Sequence, residues 1–205
     1  MIMNILAIGA HPDDIEYGCC GTILKHVKRG DKVFFVVLSQ GGRGGDKDIR
    51  KEEAEESAKA IGAKLFMFDF PDTSIPQSHE VIEKLEEIIK QTRPDRIYTH
   101  SIKDMHQDHR NVAYSTLAAA RNIPEIFCFE SPSLYLDFRP NYYIDVTDFI
   151  PQKTKILDKF MTQNGKDFMK INAIQGLAQF RGLASSVKHA EAFEAIKILK
   201  LETDV

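Results

Sequence analysis

Val33-Phe34-Phe35-Val36-Val37-Leu38 is apolar at every position, and this run constrains the fold more than any other stretch of the chain. A strand with one wet face alternates apolar and polar residues. A strand with no polar position has both faces covered, as happens inside a parallel sheet with helices above and below. Short β-rich runs recur at Asn4 to Gly9, Lys64 to Phe68, Arg96 to Thr99 and Glu125 to Phe129. Between them, Gly21 to Lys28, Ile49 to Ile61, His79 to Gln91 and His109 to Asn122 have helical composition. In the third segment Val81, Ile82, Leu85, Ile88 and Ile89 fall at helical spacing, with Glu and Lys filling the other face. Gly30, Gly62 and Pro94 provide stops. The alternation predicts βαβ units and an α/β, Rossmann-like fold with a mostly parallel sheet flanked by helices. After Pro132 the chain turns loop-rich, with a strand expected at Tyr142 to Val146 and helices from about Pro151 onward, a tail expected to complete one wall of a pocket.

With 205 residues and no break in composition, the whole chain, 1–205, reads as a single domain. Hydrophobic content of 43% and charged content of 28% exclude a disordered or fibrous chain. A net charge of -3, with Lys and Arg dispersed, leaves no electrostatic footprint for nucleic acid. Met1-Ile2-Met3-Asn4 lacks the basic start of a signal peptide and its apolar stretch is too short to span a membrane, so a cytoplasmic location is expected. Cys19, Cys20 and Cys128 form neither an even disulfide framework nor a CxxC pair. They read as buried, reduced thiols, and zinc held by thiolates is not expected.

The chemistry concentrates in two clusters. His11-Pro12-Asp13-Asp14 follows the first strand, and His106-Gln107-Asp108-His109 follows the fourth. Ligands in open α/β sheets bind beyond the carboxyl ends of the strands, where both clusters and the Gly41 to Gly45 loop belong. A hydrolytic zinc takes three His or carboxylate ligands and keeps a position for water. The HxxD spacing lets a tight turn bring His11 and Asp14 to one ion, with Pro12 restricting its backbone, and leaves Asp13 free as a general base. In the second cluster His109, at a helix start, is the better ligand. A protonated His106 would then stabilise an oxyanion, and Asp108 or Asp104 would orient an imidazole.

Plainer readings compete. Asp13 and Asp14 before a helix can be an N-cap and a first-turn carboxylate, and an isolated HxxH is common on polar loops. The coincidence of His with Asp after two different strands favours a site. His26, His79, His100 and His189 lack comparable carboxylate neighbours and read as surface or capping residues. The glycine loop lacks both GxGxxG order and a P-loop ending, and reads as a pocket loop. Arg50 and Glu53 have the spacing of an i, i+3 surface pair. The rival from another class is a non-catalytic Rossmann-like protein binding a nucleotide or sugar, its glycine loop on a phosphate.

Ala10-His11-Pro12-Asp13-Asp14 with a distant His106-Gln107-Asp108-His109 resembles the LmbE-like, or PIG-L-type, N-acetylglucosaminyl deacetylase family. The resemblance extends to Arg50-Lys51-Glu52-Glu53 ahead of Ala58 and Ile61-Gly62. It also covers Arg181-Gly182 followed by Ala190-Glu191-Ala192-Phe193. It implies a metallohydrolase that releases acetate from an N-acetylated amino sugar or its conjugate. One Zn²⁺ per chain would be held by His11, Asp14 and His109, a set that also accepts Fe²⁺ or Co²⁺. Asp13 matches the general base, His106 the transition-state stabiliser and Asp108 its neighbour. Arg50, with Asp104, is expected on the substrate side. The implied partner is a small amino sugar, with a homo-oligomer compatible. Gly41-Gly42 departs from the Gly-Glu pair of many members, and another amide of an amino-sugar conjugate is the alternative substrate.

Overall fold

The computed structural model describes residues 2–199. Its centre is one sheet in the order β3-β2-β1-β4-β5-β7-β6. The first five strands are β1 (Asn4–Gly9), β2 (Lys32–Val37), β3 (Lys64–Met67), β4 (Arg96–Thr99) and β5 (Glu125–Phe129). All pair in parallel, with Ala7 opposite Phe35 on one side and Tyr98 on the other.

Alternate residues of the apolar runs feed two separate cores. Ile5, Ala7, Val33, Phe35 and Val37 pack with Ile15, Ile23, Leu24, Ala58 and Ile61. These come from α1 (Asp14–Arg29) and α2 (Lys47–Ile61). Leu6, Ile8, Val36 and Ile97 pack on the other side with Val81, Leu85, Ile88 and Val112. These belong to α3 (His79–Thr92) and α4 (Gln107–Ala119). Two covered faces are why β2 carries no polar alternation.

The chain leaves β1 for one face and β4 for the other, so the strand order reverses between them. That divergence opens a crevice beyond their carboxyl ends, where both His/Asp clusters emerge.

Two local features depart from the sequence expectation. The first helix starts at Asp14 rather than near Gly21, and it is kinked at Cys19 (φ -147°, ψ 17°). The break frees the amides of Gly21 and Thr22, which donate to the Glu191 carboxylate at 2.9 and 2.7 Å. Lys153 neutralises that buried acid at 2.7 Å. Gly18 lies just before the kink because a Cβ there would collide with the Phe129 ring.

The second departure is β7 (Ala190–Ile198), which pairs antiparallel with β5 and with β6 (Tyr142–Asp145). Its Ala-, Glu- and Lys-rich composition falls in the tail read as helical, and of that tail only α5 (Ile150–Leu157) and α6 (Ile171–Ala184) are α-helices among the described residues. Tertiary context overrides local propensity because its glutamates have buried duties. Glu191 caps the α1 kink, and Glu194 accepts from Lys103 Nζ at 2.7 Å and Arg139 N at 2.8 Å. The cysteines are free and buried, as expected. No described helix is long and apolar enough to cross a membrane.

Candidate metal centre and active site

Asp14 is the hub of the crevice. Its Oδ2 accepts the His11 backbone N–H at 2.7 Å, which closes the turn after β1. His11 Nδ1 lies 3.5 Å from Oδ2, and His109 Nε2 lies 3.4 Å from Oδ1.

The outer nitrogens of both rings are tied to buried carboxylates. His11 Nε2 sits between Asp108 Oδ2 at 3.0 Å and Asp72 Oδ1 at 3.1 Å. His109 Nδ1 donates to Asp104 Oδ2 at 2.9 Å. A neutral ring that spends its one proton outward presents a lone pair inward. Both inner nitrogens therefore face Asp14. The two contacts run to different oxygens of the one carboxylate, His11 Nδ1 to Oδ2 and His109 Nε2 to Oδ1. The donor set suits a divalent ion. Among the described residues three overlapping groups, His11/His106/His109, Asp14/His100/His109 and His11/Asp72/Asp108, each have ligand-type atoms within 4.8 Å of one another.

Electrostatics agree with the geometry. Burial works against the charge on Asp14, yet His109 and His100 outweigh it and hold the carboxyl well below its usual range. His109 is pulled up to about 9: burial opposes its charge, and Asp14 and Asp104 overcome that opposition. His11 is raised too, against burial, by Asp108, Asp14 and Asp72. Protons on these rings supply the positive charge that the carboxylates demand, and a bound cation would displace them.

Asp13 occupies the N-cap position of α1 but caps nothing. Its backbone is left-handed (φ 97°, ψ -25°) and its side chain makes no capping bond. The plain reading as a helix cap fails on that geometry. Burial, reinforced by Asp14 and opposed by Arg50 at 3.6 Å, raises the Asp13 carboxyl to about 7. His106 is the N-cap of α4, and its Nδ1 accepts the Asp108 N–H at 3.2 Å. Its proton therefore resides on Nε2, and burial with the nearby His109 and His11 lowers its pKa. The ring is a neutral donor, not the protonated one expected.

Other expectations need correction. Asp104 is fully buried and accepts from His109, the His106 N–H and the hydroxyls of Ser131 and Ser133. It positions a ring and cannot meet substrate. Asp108 is equally buried, its oxygens taken by Thr73 N, Ile75 N and His11, so it orients His11 rather than reacting.

Arg50 is also buried. It donates to Gly41 O at 2.9 Å and Pro12 O at 2.7 Å, clamping two loops, and it also lines the cavity over the site. It does not form a surface pair with Glu53, which is buried and accepts from Thr162 N and Oγ1. Gly41 and Gly44 are small because side chains there would strike the Arg50 guanidinium. That packing accounts for two of the four glycines in the loop.

His100 and His26, expected to be surface or capping residues, are both buried, and Asp72 carries no signal in the sequence. His100, at the end of β4, is fully buried, with Nε2 3.0 Å from Asp14 Oδ2. Asp72 links the glycine loop to the site, accepting Arg43 N at 2.7 Å while facing His11. His26 lies in the interior between Asp31 and the Tyr98 hydroxyl, away from the site. Spacing could not reveal Asp72 or His100, since only the topology brings them to Asp14.

A cavity of about 430 Å³ opens over this assembly. Asp13, Asp14, His11, His106, His109 and Arg50 form part of its lining, and Tyr17, Phe168, Arg43, Thr73 and Lys166 also border it.

Residues 6–120 match the family model described as GlcNAc-PI de-N-acetylase. Among curated proteins, the uncharacterized deacetylase YaiS of Escherichia coli is 38% identical over 153 residues, 71% of this chain and 83% of that protein. The 4-oxalmesaconate hydratase of Pseudomonas putida is 25% identical, over 73% of this chain and 70% of that protein. Among solved structures, the N,N'-diacetylchitobiose deacetylase of Pyrococcus horikoshii superposes with a TM-score of 0.83. It is 25% identical and the match covers 94% of this chain and 83% of that one.

Proposed function

Because the chain belongs to the GlcNAc-PI de-N-acetylase (PIG-L, LmbE-like) family, we propose that it is a metal-dependent N-deacetylase. Its substrate would be an N-acetylglucosamine-type amino sugar or a conjugate of one, and its products acetate and the free amine. The observation that carries this reading is the pairing of two outward-anchored histidines facing Asp14 with an uncommitted carboxylate, Asp13, beside them.

His11, Asp14 and His109 would hold the ion. Zinc suits two imidazoles and a carboxylate, and Fe²⁺ or Co²⁺ suits them also. A divalent ion held there polarises a carbonyl and lowers the pKa of water toward neutrality. Asp13, a carboxylate with no capping bond beside Asp14, would take a proton from the attacking water and return it to the departing amine. Arg50 keeps that carboxylate in place. His106 Nε2–H is the side-chain donor for the oxyanion as the acetamide carbon becomes tetrahedral. Asp104 and Asp108 fix the orientation of His109 and His11. The cavity volume lies in the range of small-molecule sites, and the Tyr17 and Phe168 rings offer apolar faces to a sugar.

The test presents a panel of N-acetylglucosamine derivatives, including diacetylchitobiose, to zinc- and cobalt-loaded protein and measures acetate. Release is expected, with Asp13→Ala retaining metal but losing most turnover. Failure across the panel overturns the assignment. The similarity to a hydratase supports a second reading, addition of water to a carbon–carbon double bond by the same base. Loss of conjugated-enoate absorbance without acetate would identify it.

A further inference from the structure

His100 has no part in the proton transfers above, yet its environment is unlike that of a core histidine. It is fully buried, its ring stacks on His109 with centroids 3.9 Å apart and planes 15° from parallel, and Phe129 closes its other side edge-on at 4.8 Å. Its Nε2 lies 3.0 Å from Asp14 Oδ2, while Nδ1 is buried without a partner.

The Ala10 N–H also points at Nε2, at 3.1 Å. One nitrogen cannot donate to Asp14 and accept from Ala10 together, so the tautomer decides which contact is used. A proton on Nδ1 would leave a buried N–H unpaired and set two acceptors against each other 3.0 Å apart. A proton on Nε2 sets the buried Ala10 N–H against a second donor 3.1 Å away, but makes a charge-assisted bond to a carboxylate, roughly twice as strong as the neutral one it replaces.

We propose that His100 is a positioning residue of the candidate metal centre. Its Nε2–H fixes the carboxylate of Asp14, and its ring backs His109, so that one side chain from the end of β4 orients two of the three ligands. Asp14 Oδ2 then has two fixed donors, the His11 N–H and His100, and cannot swing away when the site is empty. Supporting groups of this kind are worth about 10- to 100-fold in metal affinity. The affinity arm of the test rests on the metal-dependent reading, whereas the tautomer arm does not.

The experiment compares wild type with His100→Gln, whose amide N–H reaches the place of Nε2, and His100→Leu, which fills the slot without a donor. In metal-free wild type at pH 8, ring ¹⁵N spectra are expected to show His100 protonated on Nε2, and an Nδ1-protonated ring overturns the proposal. In cobalt titrations against a chelator, the Leu variant is expected to bind about 10- to 100-fold more weakly and the Gln variant within a few-fold of wild type. Wild-type affinity in the Leu variant, or equal losses in both variants in proportion to their thermal destabilisation, overturns it. Wild type that binds cobalt but releases no acetate counts against the deacetylase assignment alone. Wild type that binds no metal removes the proposed centre, and the ring ¹⁵N result then decides whether His100 donates to Asp14.

Discussion

Asp13 should be costly to the fold in the metal-free protein, and replacing it should stabilise the chain while abolishing turnover. Two costs can be separated. The first is ionisation: the carboxyl is raised from 3.8 to about 7 in the folded state, chiefly by burial and by Asp14. Between those pH values the unfolded chain has released a proton that the folded chain retains, so stability falls as pH rises and levels off above pH 7. At 1.36 kcal/mol per unit the full shift is roughly 4 kcal/mol, and sharing of charge with Asp14 reduces it, giving about 2–4 kcal/mol at pH 8. The second cost is the left-handed backbone at φ 97°. It should make Asp13→Gly about 1 kcal/mol more stable than Asp13→Ala.

Urea denaturation of chelator-treated protein provides the assay, with Asp13→Asn as the neutral isostere. Its advantage over wild type is expected to be fully present at pH 8 and to vanish by about pH 4, with acetate release from the zinc-loaded variant at background. An Asn variant no more stable than wild type at pH 8, or an advantage that does not shrink on acidification, refutes the ionisation argument. Equal stability of the Ala and Gly variants refutes the strain.

Asp104→Asn should retain the fold but weaken zinc by about 10- to 100-fold in chelator competition, because His109 loses the carboxylate that fixes its tautomer. Zinc affinity should rise steeply with pH up to about 9, since His109 is raised to about 9 and protonated below it, and calorimetry in buffers of different ionisation enthalpy should record the released protons. Lys153→Met should cost about 3 kcal/mol in chemical denaturation by leaving Glu191 as an unpaired buried charge. Adding Glu191→Gln should recover part of that loss.

The parallel sheet was legible because burial on both faces imposes its own composition, as in Val33 to Leu38. The two clusters were legible because His and Asp recur directly after strands. What stayed hidden was everything created by one segment acting on another. β7 reads as helix until Glu191 is seen capping a kink 170 residues earlier in the chain. His100 carries no local signal, and becomes part of the site only because β4 lies beside β1. An orienting role for Asp104 or Asp108 was legible in sequence, but which ring each one holds, His109 for Asp104 and His11 for Asp108, follows only from the packing.

Arg50 ties these levels together. Sequence places it on a helix, where it resembles a substrate contact or half of a surface pair. In the structure it holds Pro12 O, the carbonyl of the peptide that joins Pro12 to Asp13. Fixing that peptide plane sets the rotation about the Asp13 N–Cα bond, the φ that a residue with a Cβ would not choose. A right-handed backbone at Asp13 would continue α1 by one residue and make Asp13 an ordinary first-turn carboxylate. Arg50 is bonded to the peptide that would have to turn, and the same guanidinium stands 3.6 Å from the Asp13 carboxylate. The glycines at 41 and 44 then follow as a requirement for room around the guanidinium. The glycine loop, the second helix and the HPDD turn are therefore one device, and its product is a single unbonded carboxylate beside Asp14.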